Sequence, residues 1–371
     1  MTAKPPFRAD HVGSLLRPPE LLKARADYAE GLLDLVGLRQ VEDDAIYRAV
    51  RMQEDIGLQA ITDGEYRRSS WHMDFLYAIG GVAKVRENLE VQFHNDEGDI
   101  NFTPSGLRIV GKLALPRTIF GEAFSYLKGV VQAGAPKTTI PSPSMMHYRG
   151  GNAAIDKSVY PDIEGFWEDL AAVYRQEIAG LRALGCTYLQ IDDTSLAYLN
   201  DPAQRAHVDR IGGHGEDQHL TYIKTFNDSL KGRPDDMTVC THLCRGNFRS
   251  SWAASGGYVY VADALFGQLD VDGYFLEFDD ERSGGFEPLR YLPKGHKRVV
   301  LGLVTSKRAA LESKDLLKRR IEEAAKHAPL DQLCLSPQCG FSSTHEGNDL
   351  SWQQQVDKLA LVVEVAREVW G

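Results

Sequence analysis

The chain has 371 residues, 43% hydrophobic and 25% charged, with a formal net charge of −10. That length and balance suit a globular protein, up to one (β/α)8 barrel with insertions. The acidic balance argues against nucleic acid or an anionic membrane surface as a partner, and no stretch approaches the roughly 18 apolar residues of a membrane span. The opening segment MTAKPPFRADHVGS lacks the apolar core of a signal peptide. Five cysteines, at 186, 240, 244, 334 and 339, make an odd and sparse set for a disulfide framework. The expectation is a cytoplasmic protein whose thiols are reduced and available to metal; an oligomer is compatible with this composition.

In chain order, the first expected strand covers 7–12 and ends at Gly13-Ser14. Helical spacing follows over 19–28 and over 38–56, where Val41, Ala45, Ile46, Ala49 and Met52 repeat on one face. Residues 60–62 form a short strand closing on Asp63-Gly64-Glu65. From about 66 to 126 the rhythm breaks. Polar and β-forming stretches there predict a hairpin excursion after the second strand that caps one end of the fold. Strands are expected again over 137–140, 187–191, 237–244, 273–278, 299–304 and 332–336, with helices over 163–184, 258–269, 315–327 and 352–369.

Short β-branched runs alternating with helices imply parallel strands covered by helices. Eight such runs, with no Gly-x-Gly-x-x-Gly after the first, favour a closed (β/α)8 TIM barrel over a dinucleotide-binding sheet. No linker or low-complexity tract divides the chain, so residues 1–371 read as a single catalytic barrel domain.

Polar residues collect where these strands finish: Ser14, Glu65, Ser142, Asp192, Asp193, His242, Cys244, Glu277 and Cys339 among them. In a barrel all strand ends open on one mouth, so residues far apart in sequence can share a pocket. His242 and Cys244 are at i and i+2, and on an extended strand both point to one side. Cys339 brings a second thiolate from another strand exit, and Glu277 ends the strand between them. Zinc takes thiolate sulfur at about 2.3 Å and imidazole nitrogen at about 2.0–2.1 Å, usually tetrahedrally. Cys240 and Cys334 read as core. Zinc held mainly by thiolates is best used to keep a substrate thiol deprotonated, which points to S-alkylation. Asp192 and Glu65 could accept hydrogen bonds from a substrate ammonium group, and Ser14 could meet a carboxylate. Trp71, Tyr148 and Trp252 could stack on a flat ring of a ligand, but aromatics at loops more often simply pack, so they are not counted as site residues.

HVGSLLRP, TDGE, LQIDD, THLCRGN, LEFD and SPQCGF, in this order, resemble the catalytic barrel of cobalamin-independent methionine synthase. The likeness runs from about residue 9 to 370 and is strongest to short members that lack the duplicated N-terminal barrel. It implies zinc held by His242, Cys244, Glu277 and Cys339, and homocysteine bound through Ser14, Glu65 and Asp192. The reaction implied is methyl transfer from 5-methyltetrahydrofolate to that thiol, giving methionine. The sequence departs from the longer members at two places. Asp192-Asp193-Thr194 stands where they carry Asp-Glu-Pro, and GLVTSKRAA puts Lys307 near the position of their histidine acid. A lysine with its ordinary pKa near 10.4 needs strong perturbation to act as an acid near neutrality, so the catalytic acid is unassigned, with Lys307 the candidate. The other readings are alkyl transfer to a different thiol, such as coenzyme M opening an epoxide, and a non-catalytic zinc or thiol-binding homologue.

Overall fold

The computed structural model describes residues 4–85, 91–95, 98–102, 106–247, 250–251, 253–342, 344 and 347–371, with 91–95, 98–102 and 282 as backbone. β1 (Ala60–Ile61) is followed by an excursion made of β2 (Gly80–Val85), β3 (Val91–Asn95), β4 (Gly98–Phe102) and β5 (Gly106–Ala114). Then come β6 (Ala135–Pro141), β7 (Tyr188–Asp193), β8 (Thr238–Leu243), β9 (Gly273–Glu277), β10 (Arg298–Val304) and β11 (Leu333–Pro337). Among the described residues β1, β6, β7, β8, β9, β10 and β11 form one seven-stranded sheet in that order, every pair parallel. This is the curled parallel sheet of a TIM-barrel-like fold.

The eighth position is filled differently from expectation. Residues 7–12 are extended but irregular, and only Ala9 bridges Leu335 of β11. Asp10 N donates to Leu335 O at 3.0 Å and Leu335 N to Arg8 O at 2.9 Å. On the other side His11 Nε2 meets Ala60 O of β1 at 3.2 Å. The cause of the irregularity is Asp10, whose carboxylate accepts from Phe7 N at 3.1 Å and His11 N at 2.8 Å. Those amides are therefore unavailable to a ladder.

The helices are α1 (Pro19–Ala29), α2 (Leu35–Asp55), α3 (Met73–Leu76), α4 (Gly121–Val130), α5 (Ile163–Ala183), α6 (Ser195–Tyr198), α7 (Pro202–Arg210), α8 (Gln218–Leu230), α9 (Ala262–Gln268), α10 (Lys314–Ala324) and α11 (Trp352–Trp370). Several of these starts carry a side-chain cap: Asp34 accepts from Gly37 N, Asp162 from Glu164 N and Ser313 from Leu316 N, and Ser351 with Gln354 makes a capping box. α9 begins four residues later than the expected 258, just after Tyr260 N and Val261 N, which both donate to Asn200 Oδ1, and Tyr258 turns its hydroxyl to Glu277 N and Leu243 O.

Strand alternation divides the side chains between two environments. Leu189, Ile191, Val239 and Leu243 face the helices in the largest apolar cluster. Tyr188, Cys240, Phe275, Val300 and Cys334 pack with Phe7 and Val12 inside the barrel, where Cys240 and Cys334 are fully buried. Lys137 reaches Asp10 Oδ1 there at 3.0 Å, with both side chains fully buried, and Tyr188 Oη donates to Asp10 Oδ2 at 2.7 Å.

The excursion is two nested antiparallel pairs, β2 with β5 and β3 with β4. At its base Ile109 bridges Ile155, and Leu113 N donates to Tyr160 Oη at 2.8 Å. Both partners lie in the connection after β6, so the excursion joins the barrel on the carboxyl side of the sheet. No helix among the described residues is long and apolar enough to cross a membrane.

Candidate metal and thiol-binding site

The inward parity that places Cys240 in the barrel core brings His242 and then Cys244 to the mouth. Glu277 is the last residue of β9, and Cys339 follows β11 by two residues. Ligand atoms of His242, Cys244, Glu277 and Cys339 all lie within 4.8 Å of one another, and all four residues are buried. Cys244 Sγ and Cys339 Sγ are 3.4 Å apart.

His242 Nδ1 faces Phe275 O at 3.4 Å, leaving Nε2 buried with no protein hydrogen bond. Glu277 Oε1 is likewise buried and unbonded. Its Oε2 accepts from Arg245 N at 3.3 Å, and the Arg245 guanidinium lies 3.8 Å away. Arg245 is clamped in turn over the Tyr258 ring at 4.0 Å, and Tyr258 Oη accepts from Glu277 N at 2.8 Å. A buried imidazole nitrogen and a buried carboxylate oxygen without partners are costly. Converging beside two sulfurs, they make a nitrogen, sulfur and oxygen set that fits a zinc-type ion and is too soft for magnesium or calcium. Imidazole Nδ1 on a carbonyl with Nε2 free is also how metal-ligating histidines are oriented.

The charges agree with that use. The hydrogen bond from Cys244 holds the Cys339 thiol well below its ordinary pKa, helped by His242, while the same contact and burial push Cys244 up. Burial alone would lower His242, but Cys339, Asp192 and Glu277 together carry it above its usual value. Burial pushes the Glu277 carboxyl up, opposed by the positive charge of Lys307. Lys307 is thus beside the cluster, nearly buried, its backbone N donating to Thr305 Oγ1 at 3.3 Å.

Ser14, Glu65 and Asp192 come to the same mouth. Gly340, next to Cys339, packs against Ser14 so closely that a Cβ there would stand 2.0 Å from Ser14 Oγ. Gly13 has φ of 142°, and a Cβ on it would meet Thr139 Cγ2 at 2.9 Å and Glu65 Oε1 at 3.6 Å. Glu65 holds a left-handed φ of 61°, a strained conformation of the sort concentrated at functional sites. It is fixed by Asp63 Oδ1 on its N–H at 2.9 Å and by Arg17 Nη2 on its carbonyl at 3.2 Å. Its Oε1 accepts from Thr139 Oγ1 at 2.8 Å, whereas Oε2 is buried and unbonded. Asp192 pairs in register with His242 across β7 and β8. Burial pushes its carboxyl up to about 7, with His242 opposing and Glu65 adding.

Other strand-end residues have supporting roles. Asp193 points the other way, accepting from Ser144 Oγ at 2.5 Å, Ser195 Oγ at 2.8 Å and Leu196 N at 2.7 Å, so it caps α6. Tyr148 is spent on packing, edge-on to Tyr198 and bonded to Gln204 Oε1 at 2.7 Å. Trp71 stacks on His72 at 4.3 Å between ring centres. Trp252 lies outside the described residues. Sequence reasoning passed over Arg17, which ties the Glu65 and Arg68 carbonyls to Ser342 and Thr344. The arginine inside HVGSLLRP was the available signal.

Residues 148–368 match the family model described as the cobalamin-independent synthase catalytic domain. The chain belongs to that family. It is a methyltransferase family, and the matched span holds Asp192 and all four converging ligands, while Ser14 and Glu65 precede it. The Bacillus subtilis protein YxjG, uncharacterized, is 45% identical over 368 residues, covering 99% of this chain and 96% of its own. A solved structure from Listeria monocytogenes, provisionally named a vitamin-B12-independent methionine synthase, superposes with TM-score 0.77 at 38% identity, covering 99% and 98% of the two chains. A B12-independent methionine synthase from Shewanella, solved with selenomethionine, shares the fold at TM-score 0.71 and 18% identity, covering 98% and 97%.

Proposed function

We propose that this family member is a zinc-dependent methyltransferase that moves a methyl group from a folate-type donor to the thiol of homocysteine, giving methionine. The observation that carries the reading is the buried set His242, Cys244, Glu277 and Cys339 with donor atoms within 4.8 Å, opening beside Glu65 and Asp192. On this reading those four residues hold zinc. Bound there, zinc supplies a Lewis acid that keeps an incoming thiol ionised at neutral pH. Relatives support the choice of substrate: a Pyrococcus abyssi protein named methionine synthase is 23% identical over 359 residues, covering 96% of this chain and 92% of its own.

The chain's own residues supply the rest. The Glu65 carboxylate, with its unbonded Oε2, and Asp192 receive the substrate ammonium group. Ser14, with its hydroxyl at the mouth, receives the carboxylate. Lys307 balances the negative charge of two thiolates and a carboxylate, and is the candidate for the proton needed by the departing donor. The β2–β5 excursion, in a single catalytic unit of 1–371, caps the mouth. A thiol bearing a sulfonate, the coenzyme M reading, would set a negative charge against Glu65 and Asp192, which favours the amino-acid thiol.

The test is turnover by the zinc-loaded protein with L-homocysteine and, in turn, methylfolate, methylcobalamin and S-methyl donors. Methionine formed from methylfolate is the expected product. Absence of methionine with every donor would sink the reading and leave the non-catalytic binding alternative.

A further inference from the structure

β7 directs Tyr188, Gln190 and Asp192 into the barrel at successive levels. Tyr188 is engaged with Asp10 at the lower level. Gln190, fully buried, donates from one nitrogen to two acceptors: Nε2 lies 2.7 Å from Val12 O and 2.6 Å from Asp192 Oδ1. Its oxygen, Oε1, is buried and makes no hydrogen bond.

That asymmetry is informative. Turning the amide over would aim Oε1 at a carbonyl and a carboxylate, an acceptor against two acceptors, so the orientation is forced. The site accepts an unsatisfied amide oxygen, normally avoided in a buried place, and obtains an N–H on each side. Val12 belongs to the irregular segment that has no full ladder of its own, two residues before Ser14. Asp192 is the carboxylate assigned to the substrate ammonium.

We infer that Gln190 is a positioning residue that sets the spacing between the carboxylate-binding end (Val12–Ser14) and the ammonium-binding end (Asp192) of the thiol substrate. The inference rests on the amino-acid reading of the site given above. It makes Gln190 a determinant of specificity for thiols that carry both charged groups. A thiol with one charged end can follow whichever group has shifted; a thiol with both ends needs the two groups at a fixed separation.

The experiment measures dissociation constants of three thiols on the zinc-loaded full chain. These are L-homocysteine, 4-mercaptobutanoate, which lacks the ammonium, and 3-mercaptopropylamine, which lacks the carboxylate. Gln190→Met keeps the volume and removes both donors. It should weaken L-homocysteine roughly ten- to a hundredfold, the range of one or two hydrogen bonds to charged or polar groups, and leave the single-ended thiols within about threefold. Gln190→Glu, isosteric but with an acceptor in place of the amide nitrogen, should lose L-homocysteine similarly and carries the test if the methionine variant fails to fold. Unchanged L-homocysteine affinity in a folded variant would overturn the proposal. So would an equal loss for all three thiols, or a fall in zinc content, since either would show a general structural role. A parent protein that fails to prefer L-homocysteine to the single-ended thiols would instead overturn the amino-acid reading itself, before any variant is made.

Discussion

Cys244 Sγ and Cys339 Sγ lie 3.4 Å apart although 95 positions separate them in the chain. Neither cysteine is paired as a disulfide, and His242 and Glu277 close on the same point. Cys339→Ala removes one sulfur from that group without disturbing the strand it follows. The expected result is at least a tenfold fall in zinc retained after dialysis, by elemental analysis, with the metal-free unfolding free energy changed by about 1 kcal/mol. Full zinc occupancy in the variant would take Cys339 out of the ligand set.

Asp192→Asn tests the ammonium contact. Losing a hydrogen bond to a charged group is worth about 1.5–3 kcal/mol, so KM for homocysteine should rise roughly tenfold or more, with kcat affected less. Steady-state kinetics with saturating donor separates the two. A kcat-only effect would contradict a binding role.

The Lys137–Asp10 pair is fully buried, and Asp10 also holds Phe7 N, His11 N and Tyr188 Oη. Lys137→Met leaves that carboxylate without its cation. Breaking one side of such a pair costs roughly 3–5 kcal/mol, to be read from urea unfolding. A loss under 1 kcal/mol would mean that Asp10 is satisfied by its other donors.

Two buried groups outside the ligand cluster give opposite pH dependences. Burial lowers His147 to about 4, with Asn152 opposing, so its folded value lies below the unfolded 6.5. Its stability term is present above 6.5 and is lost as pH falls toward 4. Burial raises Glu177 to about 7 against the N–H groups of Ile119 and Phe120, so its folded value lies above the unfolded 4.5. That term is present below 4.5 and is lost as pH rises through 7. Each can add a slope of up to about 1.4 kcal/mol per pH unit. In unfolding curves taken between pH 4 and 8, His147→Gln should flatten the loss on acidification and Glu177→Gln the loss on the rise. A parent-like slope in either variant would refute its assignment.

Much of this architecture could be read from residue patterns because strand alternation and strand-end chemistry coincide. His242 and Cys244, two apart after an apolar run, could only point together, and Glu277 followed once the intervening strand was placed. The irregularity of residues 7–12 is not legible in sequence, because side-chain competition for backbone amides, here by Asp10, leaves no mark in hydrophobic periodicity. α7 and α8 are absent from the expected elements, although Tyr222, Ile223, Phe226 and Leu230 put one buried face on α8. Gln190 and Arg17 lie within LQIDD and HVGSLLRP but show no role there, since most of their partners, such as Val12 O for Gln190 and the Glu65, Arg68, Ser342 and Thr344 carbonyls for Arg17, belong to distant segments. Such partners are known only when the chain is folded.

The irregular closure at Ala9 and Leu335 places Ser14 on one side of a seam and Cys339 on the other. Ser14 and Cys339 are 325 positions apart in the chain. A nascent chain that has made His242, Cys244 and Glu277 still lacks one of the four converging ligands, and also lacks Gly340 and Ser342, which pack against Ser14. On the proposed reading, metal capture and substrate recognition therefore both wait on the meeting of these two distant segments. A chain interrupted before β11 lacks Cys339, so a full set of four converging ligands requires that synthesis has passed β11 and that the sheet has closed.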